Sequence, residues 1–509
     1  MSGTHSVTII GGSSGSVPGG LVPVPLDVQN PVITSLQFLF GSTVGGAQST
    51  PGYSDSIAAG KLYLQNADIA TVSGPFTFAP NSSGLPGIYE LTNYASTGAT
   101  VAGSTSITGS LPANYQTLIV EAPGATTING NGSDSFLGVI GRNSPTYFNT
   151  EGGSGTVIAG GAGDYVGLEG TTWNFIGSTD GGDTINTSAA NSAISVFGSG
   201  TNTSGFGSQN LPSNVVGIVE GNVSVNAYGT NDLVAFNNGT GSGYVTVDGS
   251  ANILVNGGFA TVDAAPGSGS VNAFFAHDGG TIDFINNSGG AQTVSGDIQG
   301  AIGGSATVFG GAGGGYYQGG VGGNNSLVGG SGAVTLIGAG SSTYELAASS
   351  VGGGNALFAD SAGGSTTMIG AVGSGNNLFA GSTGSLVVST RGAGTQSFFV
   401  GASGQENLTG STVSGAQNNY YFLQDSTGSG SDIITNFNIA TDNLFINPFS
   451  VDSTTGANTG GVNIVNISQN FGSGGGVIVS LSDSTTIKLY GVSLTAADAA
   501  TQSGGVYHL

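Results

Sequence analysis

The sequence has no cysteine, which excludes disulfides and thiolate metal sites and leaves packing, backbone hydrogen bonds or bound calcium to stabilise the chain. Basic residues are almost missing as well. Lys61, Arg142, Arg391 and Lys488 stand against 27 acidic residues, giving a formal net charge of −23. Such a chain repels phosphate backbones, which excludes nucleic acid as a partner. No run approaches 18 consecutive apolar residues, so no membrane insertion is expected. The opening MSGTHSVTIIGGSSGSVPGG lacks the basic and long apolar regions of a cleaved signal peptide. Histidine is limited to His5, His277 and His508, and tryptophan to Trp173. Proline is rare through the middle: 11 of 14 lie at or before Pro145, and only Pro212 and Pro266 fall between Pro145 and Pro448.

What is abundant is glycine, 98 of 509 residues, alongside 38% hydrophobic residues and a mean hydropathy of +0.18. That is enough apolar material to build a core, so the chain is expected to fold rather than stay disordered. From 125 to 430 it repeats a short phrase, a few apolar or aromatic residues followed by Gly with Ser, Ala or Asn. Counting from Val328, the anchors Ile337, Leu346, Phe358, Ile369, Phe379, Val388 and Phe399 follow at steps of 9, 9, 12, 11, 10, 9 and 11 residues. Two such phrases make one coil of about 20 residues with two stacked parallel sheets, because each coil can satisfy its backbone only against neighbouring coils. The same spacing also fits meandering antiparallel hairpins. The expectation is an all-β chain, a parallel β-roll or β-solenoid of glycine-rich repeats at 125–430.

The flanks read differently. Residues 1–30 read as an extended arm, with a short strand at Ser6–Ile10 and polyproline geometry around Val22-Pro23-Val24-Pro25-Leu26. Residues 31–124 carry strand-like runs such as Lys61–Leu64, Phe76–Phe78, Ile88–Leu91 and Thr117–Val120, and are expected to form a non-repetitive β domain. Residues 431–509 are expected to form a β cap, with one short helix over Leu494–Ala500 capped by Thr495.

Two nonapeptides follow the pattern G-G-x-G-x-D-x-U-x in all but its first position: Asn129–Leu137, with Gly130, Gly132 and Asp134, and Thr427–Thr435, with Gly428, Gly430 and Asp432. The later segments Asp432–Phe437, Asp442–Ile446 and Thr486–Leu494 extend the likeness. Together they resemble the repeats and closing region of RTX proteins, the serralysin-like and haemolysin-type secreted bacterial proteins. The resemblance covers the last 80 or so residues well and the repeat body loosely. It implies extracellular or cell-surface localisation by type I secretion and a few calcium sites. At Gly373–Phe379 and Gly322–Leu327 the acid is replaced by Asn377 and Asn325, which removes the charge and points to apolar stacking and asparagine ladders instead.

Candidate calcium ligands are therefore Asp134 and Asp432 with their glycines, and Asp164, Asp180 and Asp183, since Asp164 and Asp183 lie 19 residues apart, about one coil. The alternative for each acid is a solvated turn residue. Asp232, Asp248, Asp263, Asp283 and Asp297 are expected to be turn residues. No catalytic constellation assembles. Ser178–Asp183 is similar to a polygalacturonase motif but lacks the basic residues that handle sugar acids, and His277-Asp278 reads as an exposed turn. Tyr316-Tyr317 and Tyr420-Tyr421 read as packing residues rather than a sugar platform. The expectation is a non-enzymatic structural protein of a surface layer, filament or biofilm matrix, whose partners are other copies of itself and a cell-surface or matrix polysaccharide, with an adhesin or a carbohydrate-binding or -processing β-helix protein as the alternative function.

Overall fold

The computed structural model describes residues 146–198, 214–276, 385–400, 404–422, 430–446 and 475–493 continuously, and elsewhere the strands with a few flanking residues. Their parallel, stacked coils form a β-solenoid. The chain divides into two compact units, Met1–Thr261 and Val262–Leu509.

In the first unit, strands alternate between two parallel ladders. One runs Ser54–Ile57, Asp68–Val72, Gly87–Thr92, Tyr115–Glu121, Ser135–Ile140, Ser154–Ala159, Thr172–Ile176, Asn191–Val196 and Asn222–Ala227. The other runs Thr105–Ser106, Thr126–Asn129, Thr146–Asn149, Tyr165–Leu168, Thr184–Thr187 and Asn214–Ile218. The long strand Asp232–Val247 pairs with both, its beginning against Asn214–Ile218 and its end against Asn222–Ala227. The parallel ladder thus crosses the boundary expected at 124/125, and the strands of 31–124 pair in the same way as the repeats. Their sequence phrases are longer and richer in proline, but the backbone needs the same stacking to satisfy its N–H and C=O groups. His5–Ile10 and Leu21–Leu26 are not a polyproline arm: they pair antiparallel, with Pro25 opposite Ser6 and Pro23 opposite Thr8. Two prolines at i and i+2 put both missing N–H groups on one edge, which an edge strand tolerates.

In the second unit, one ladder runs Val271–Ala276, Gln292–Gly296, Gly315–Gln318, Val334–Ile337, Ala356–Phe358, Asn376–Phe379, Gly394–Val400, Ala416–Phe422 and Asn443–Ile446. Its companion runs Thr281–Asn286, Ser305–Phe309, Asn324–Gly329, Ser341–Leu346, Ser365–Ile369, Ser385–Ser389, Gln405–Thr409, Ser431–Thr435 and Thr486–Leu489. Antiparallel pairs appear only late among the described strands of this unit: Ile464–Gln469 with Val477–Leu481, that strand with Thr486–Leu489, and Val506–His508 with Asn443–Ile446 and Thr501–Ser503. The helix expected at 494–500 lies outside the described residues.

Inward side chains alternate along each strand, as the two-residue period requires. The core holds Phe148, Trp173, Phe175 and Phe236 in the first unit and Phe284, Tyr317, Phe398, Tyr420 and Phe422 in the second. Where two apolar residues are adjacent, the anchors counted in the sequence are often the outward ones. Leu327, Leu336 and Phe398 are buried, whereas Val328, Ile337 and Phe399 are half-exposed on the other face. Coil corners are held by glycine where backbones meet. Gly170 has φ +113°, and a β-carbon there would lie 2.5 Å from the nitrogen and oxygen of Gly153 in the preceding coil.

Candidate functional site

The acids sort by one local rule. Asp164, Asp183, Asn214, Asp232, Asn325, Glu406, Asp432 and Asp442 each stand two residues ahead of a fully buried apolar residue, from Val166 to Leu444. Side chains two apart share a strand face, so each polar group points into the coil at its corner rather than out to solvent. There all of them but Glu406 accept a backbone N–H in the place of a carbonyl.

In the first unit, the N–H of Thr146 donates to Asp164 Oδ1 (2.9 Å), that of Asp164 to Asp183 Oδ1 (3.3 Å), and that of Asp183 to Asn214 Oδ1 (3.2 Å). Each donor sits one coil before its acceptor, at sequence offsets of 18, 19 and 31 residues. In the second unit, the N–H groups of Val271, Ala306, Glu406 and Asn418 donate to Gln292 Oε1 (2.6 Å), Asn325 Oδ1 (3.1 Å), Asp432 Oδ1 (3.3 Å) and Asp442 Oδ1 (2.9 Å). Where the ladder begins, the turn supplies no carbonyl, and an unpaired buried N–H is costly. The Asn, Asp or Gln side chain takes that place.

Electrostatics follow from the depth of these groups. Burial pushes Asp164 well above the usual carboxylate range and the neighbouring Asp183 charge adds to it, against the lowering effect of the Thr146 N–H. Burial pushes Asp183 up to about 8, opposed by the N–H groups of Ser178 and Asp164. Asn214 then interrupts the row of acids: its amide donates to Asp232 Oδ1 (2.7 Å) and to the carbonyl of Phe197 (2.9 Å). Asp232, with the Asn214 amide and the Gly229 N–H as donors, is pushed by burial only to about 6. In the second unit, burial and then the neighbouring Asp432 carboxyl raise Glu406 to about 10. Neither oxygen of the Glu406 carboxyl nor Oδ2 of Asp432 has a hydrogen-bond partner among the described residues, and both residues are 1% exposed.

These facts bear on the expected calcium ligands. Asp164 and Asp183 are brought together as the spacing predicted, but three of their four oxygens accept backbone N–H groups, leaving only Asp164 Oδ2. Asp180 is half-exposed on the adjoining turn. Calcium takes six to eight oxygens, and this set does not fit it. Asp432 is buried, with Gly430 beside it; its Oδ1 accepts the Glu406 N–H, and burial favours the neutral form of the neighbouring Glu406 carboxyl. Among the described residues, no group of three or more His, Asp or Glu side chains is placed to hold a metal ion. Gly130, Gly132, Asp134 and Gly428 lie outside the described residues, as does His277-Asp278. Asp232, expected to be a solvated turn residue, is instead buried, and Glu406, Asn214 and Asp442 were not singled out. Their signal in the sequence is the polar residue two positions before the inward apolar one.

The outer faces are different in kind. Phe399, Tyr421 and Phe445 stack at 4.7 and 4.3 Å on successive coils, and Asn443 donates to Asn419 Oδ1 (2.8 Å) in the adjacent column, whereas Asn325, expected in an asparagine ladder, is buried and accepts the Ala306 N–H. Tyr317 and Tyr420 are buried packing residues, whereas Tyr316 is exposed. Trp173 is buried and donates to the carbonyl of Glu169 (2.6 Å). An open groove of about 510 Å³ in the second unit is lined by Thr412, Asn436, Phe437, Asn438, Ile439 and Tyr490 among others, with no carboxylate, histidine or lysine. Compared with family models, curated proteins and solved structures, the chain matches none.

Proposed function

We propose that this chain is an extracellular structural protein that associates with itself into a surface layer, filament or biofilm matrix. The observation that carries the reading is the use made of the acids. Asp164, Asp183, Asp232, Asp432 and Asp442 are turned inward and accept backbone N–H groups of the coil. What faces outward is mainly hydroxyl, amide and aromatic. Against the carbohydrate-processing alternative, Asp183, half of the densest acidic pair, is buried with both oxygens occupied. Glycoside hydrolysis needs two carboxylates facing a common substrate. The secreted placement rests on the RTX-like closing region, and calcium enters this proposal at the Asp134 nonapeptide.

Electron microscopy of the purified chain, with calcium and with chelator, tests the proposal. Ordered filaments or arrays are the expected outcome, and chelator acts only if the Asp134 site organises them. Monodisperse particles that bind a glycan would overturn it.

A further inference from the structure

The two ladders of the second unit differ in charge. The ladder from Val271–Ala276 to Asn443–Ile446 contains no Asp, Glu, Lys or Arg in any of its nine strands, although the chain carries 27 acids. Its companion holds Asp283, Glu345 and Lys488, besides the inward, buried Glu406 and Asp432.

Register aligns the neutral ladder in two columns, and among their described side chains Thr335, Ile337, Ser397, Phe399, Tyr421, Asn443 and Phe445 are half-exposed on the outward face. One passes through Ile337, Phe358, Phe379, Phe399, Tyr421 and Phe445. The other holds Thr335, Ala356, Asn377, Ser397, Asn419 and Asn443. Further along the same ladder, Phe274 and Tyr316 are 42% and 37% exposed. Phe399, Tyr421 and Phe445 turn their ring faces to one another along the column and their edges outward. A sugar stacks on a ring's face, so this column is poorly made for carbohydrate, whereas ring edges can interdigitate with a second apolar surface.

We infer that this neutral, aromatic face is where a second copy of the chain docks. The inference rests on the self-association proposed above and names its surface. Two copies each carrying −23 repel, and the contact least penalised is one that brings no carboxylate against another. The size is also sufficient. Nine strands about 4.8 Å apart give a face roughly 40 Å long and, over two outward positions, about 15 Å wide. Covering it on both partners buries about 1,200 Å², the lower end of the range for specific interfaces.

The test places charge on the face without disturbing the rings. Thr335→Glu and Ser397→Glu are outward substitutions in the neutral ladder, and Thr307→Glu is the matching outward substitution in the companion ladder. Sedimentation velocity of the full chain over a concentration series, with circular dichroism as a fold control, reads the result. Wild type and Thr307→Glu are expected to associate alike, whereas Thr335→Glu and Ser397→Glu shift the association midpoint at least about tenfold upward with an unchanged spectrum. Association that survives both charges in folded protein overturns this inference and leaves the self-assembly proposal standing. A wild type that stays monomeric throughout overturns both. Tyr421→Ser keeps the question open to measurement if the glutamate variants do not fold: it removes a ring edge without adding charge, and unchanged association in that variant also counts against the face.

Discussion

Asp183 accepts two buried N–H groups, from Asp164 and Ser178, so replacing it separates its hydrogen bonds from its charge. Asp183→Ala orphans both donors and is expected to cost about 2–4 kcal/mol in the first unit. Asp183→Asn keeps one acceptor and should cost less. Trp173, the only tryptophan and fully buried in the same unit, reports either variant by fluorescence in a denaturant titration. The charge gives a second prediction. Burial raises Asp183 from 3.8 to about 8, so the folded state binds more protons than the unfolded state between those values. Its contribution is fully present below about pH 4 and is lost as pH climbs through about 8, so the Trp173 transition should weaken toward alkaline pH and lose part of that slope in Asp183→Asn. Glu406 follows the same sign over a wider window, from 4.5 to about 10. In Glu406→Gln the amide can donate to Asp432 at any pH. Hydrogen exchange of Gln405–Thr409 and Ser431–Thr435 should therefore show protection that falls with pH in the wild type, beyond the intrinsic rate, and stays level in the variant.

At the scale of the element, what the sequence revealed and what it concealed have the same source. Glycine phrases every nine to twelve residues announce short strands between tight turns, and the stacked parallel coils follow from the need to pair their backbones. Which of two adjacent apolar residues faces inward is not announced by hydropathy, so Val328 and Phe399 read as anchors while Leu327 and Phe398 fill the core. The D-x-U spacing within the nonapeptides was legible, but its meaning was not. It places a carboxylate inward at a corner, and whether that carboxylate meets a cation or an N–H depends on the preceding coil, a contact 18 to 31 residues away. The antiparallel pairing of His5–Ile10 with Leu21–Leu26 was hidden by prolines that suit an edge strand as well as an extended arm. Gly170 makes a prediction at this scale. Its φ of +113° and the 2.5 Å approach to Gly153 leave no room for a methyl group, and Gly170→Ala is expected to destabilise the first unit by more than about 1 kcal/mol, measured by the same Trp173 transition.

For the molecule as a whole, net charge opposes association even where one face is free of it. With −23 on each copy, added salt screens the repulsion without touching the neutral ladder. Association measured by light scattering is therefore expected to strengthen between low and moderate ionic strength, the reverse of an interface held by ion pairs. Composition made the sign of this charge plain but not its distribution. That one ladder of the second unit escapes it altogether is visible only once alternate strands are assigned to alternate sheets.

The uneven offsets along the corner column have a further consequence. Asp164 follows Thr146 by 18 residues and Asn214 follows Asp183 by 31, yet both acceptors meet their donors in the same register. Position in the stack is therefore set by the polar residue that opens each strand, not by how much chain is spent reaching it. An epitope or enzyme tag spliced between Gly198 and Asn214 is therefore expected to leave the strands on either side in their places.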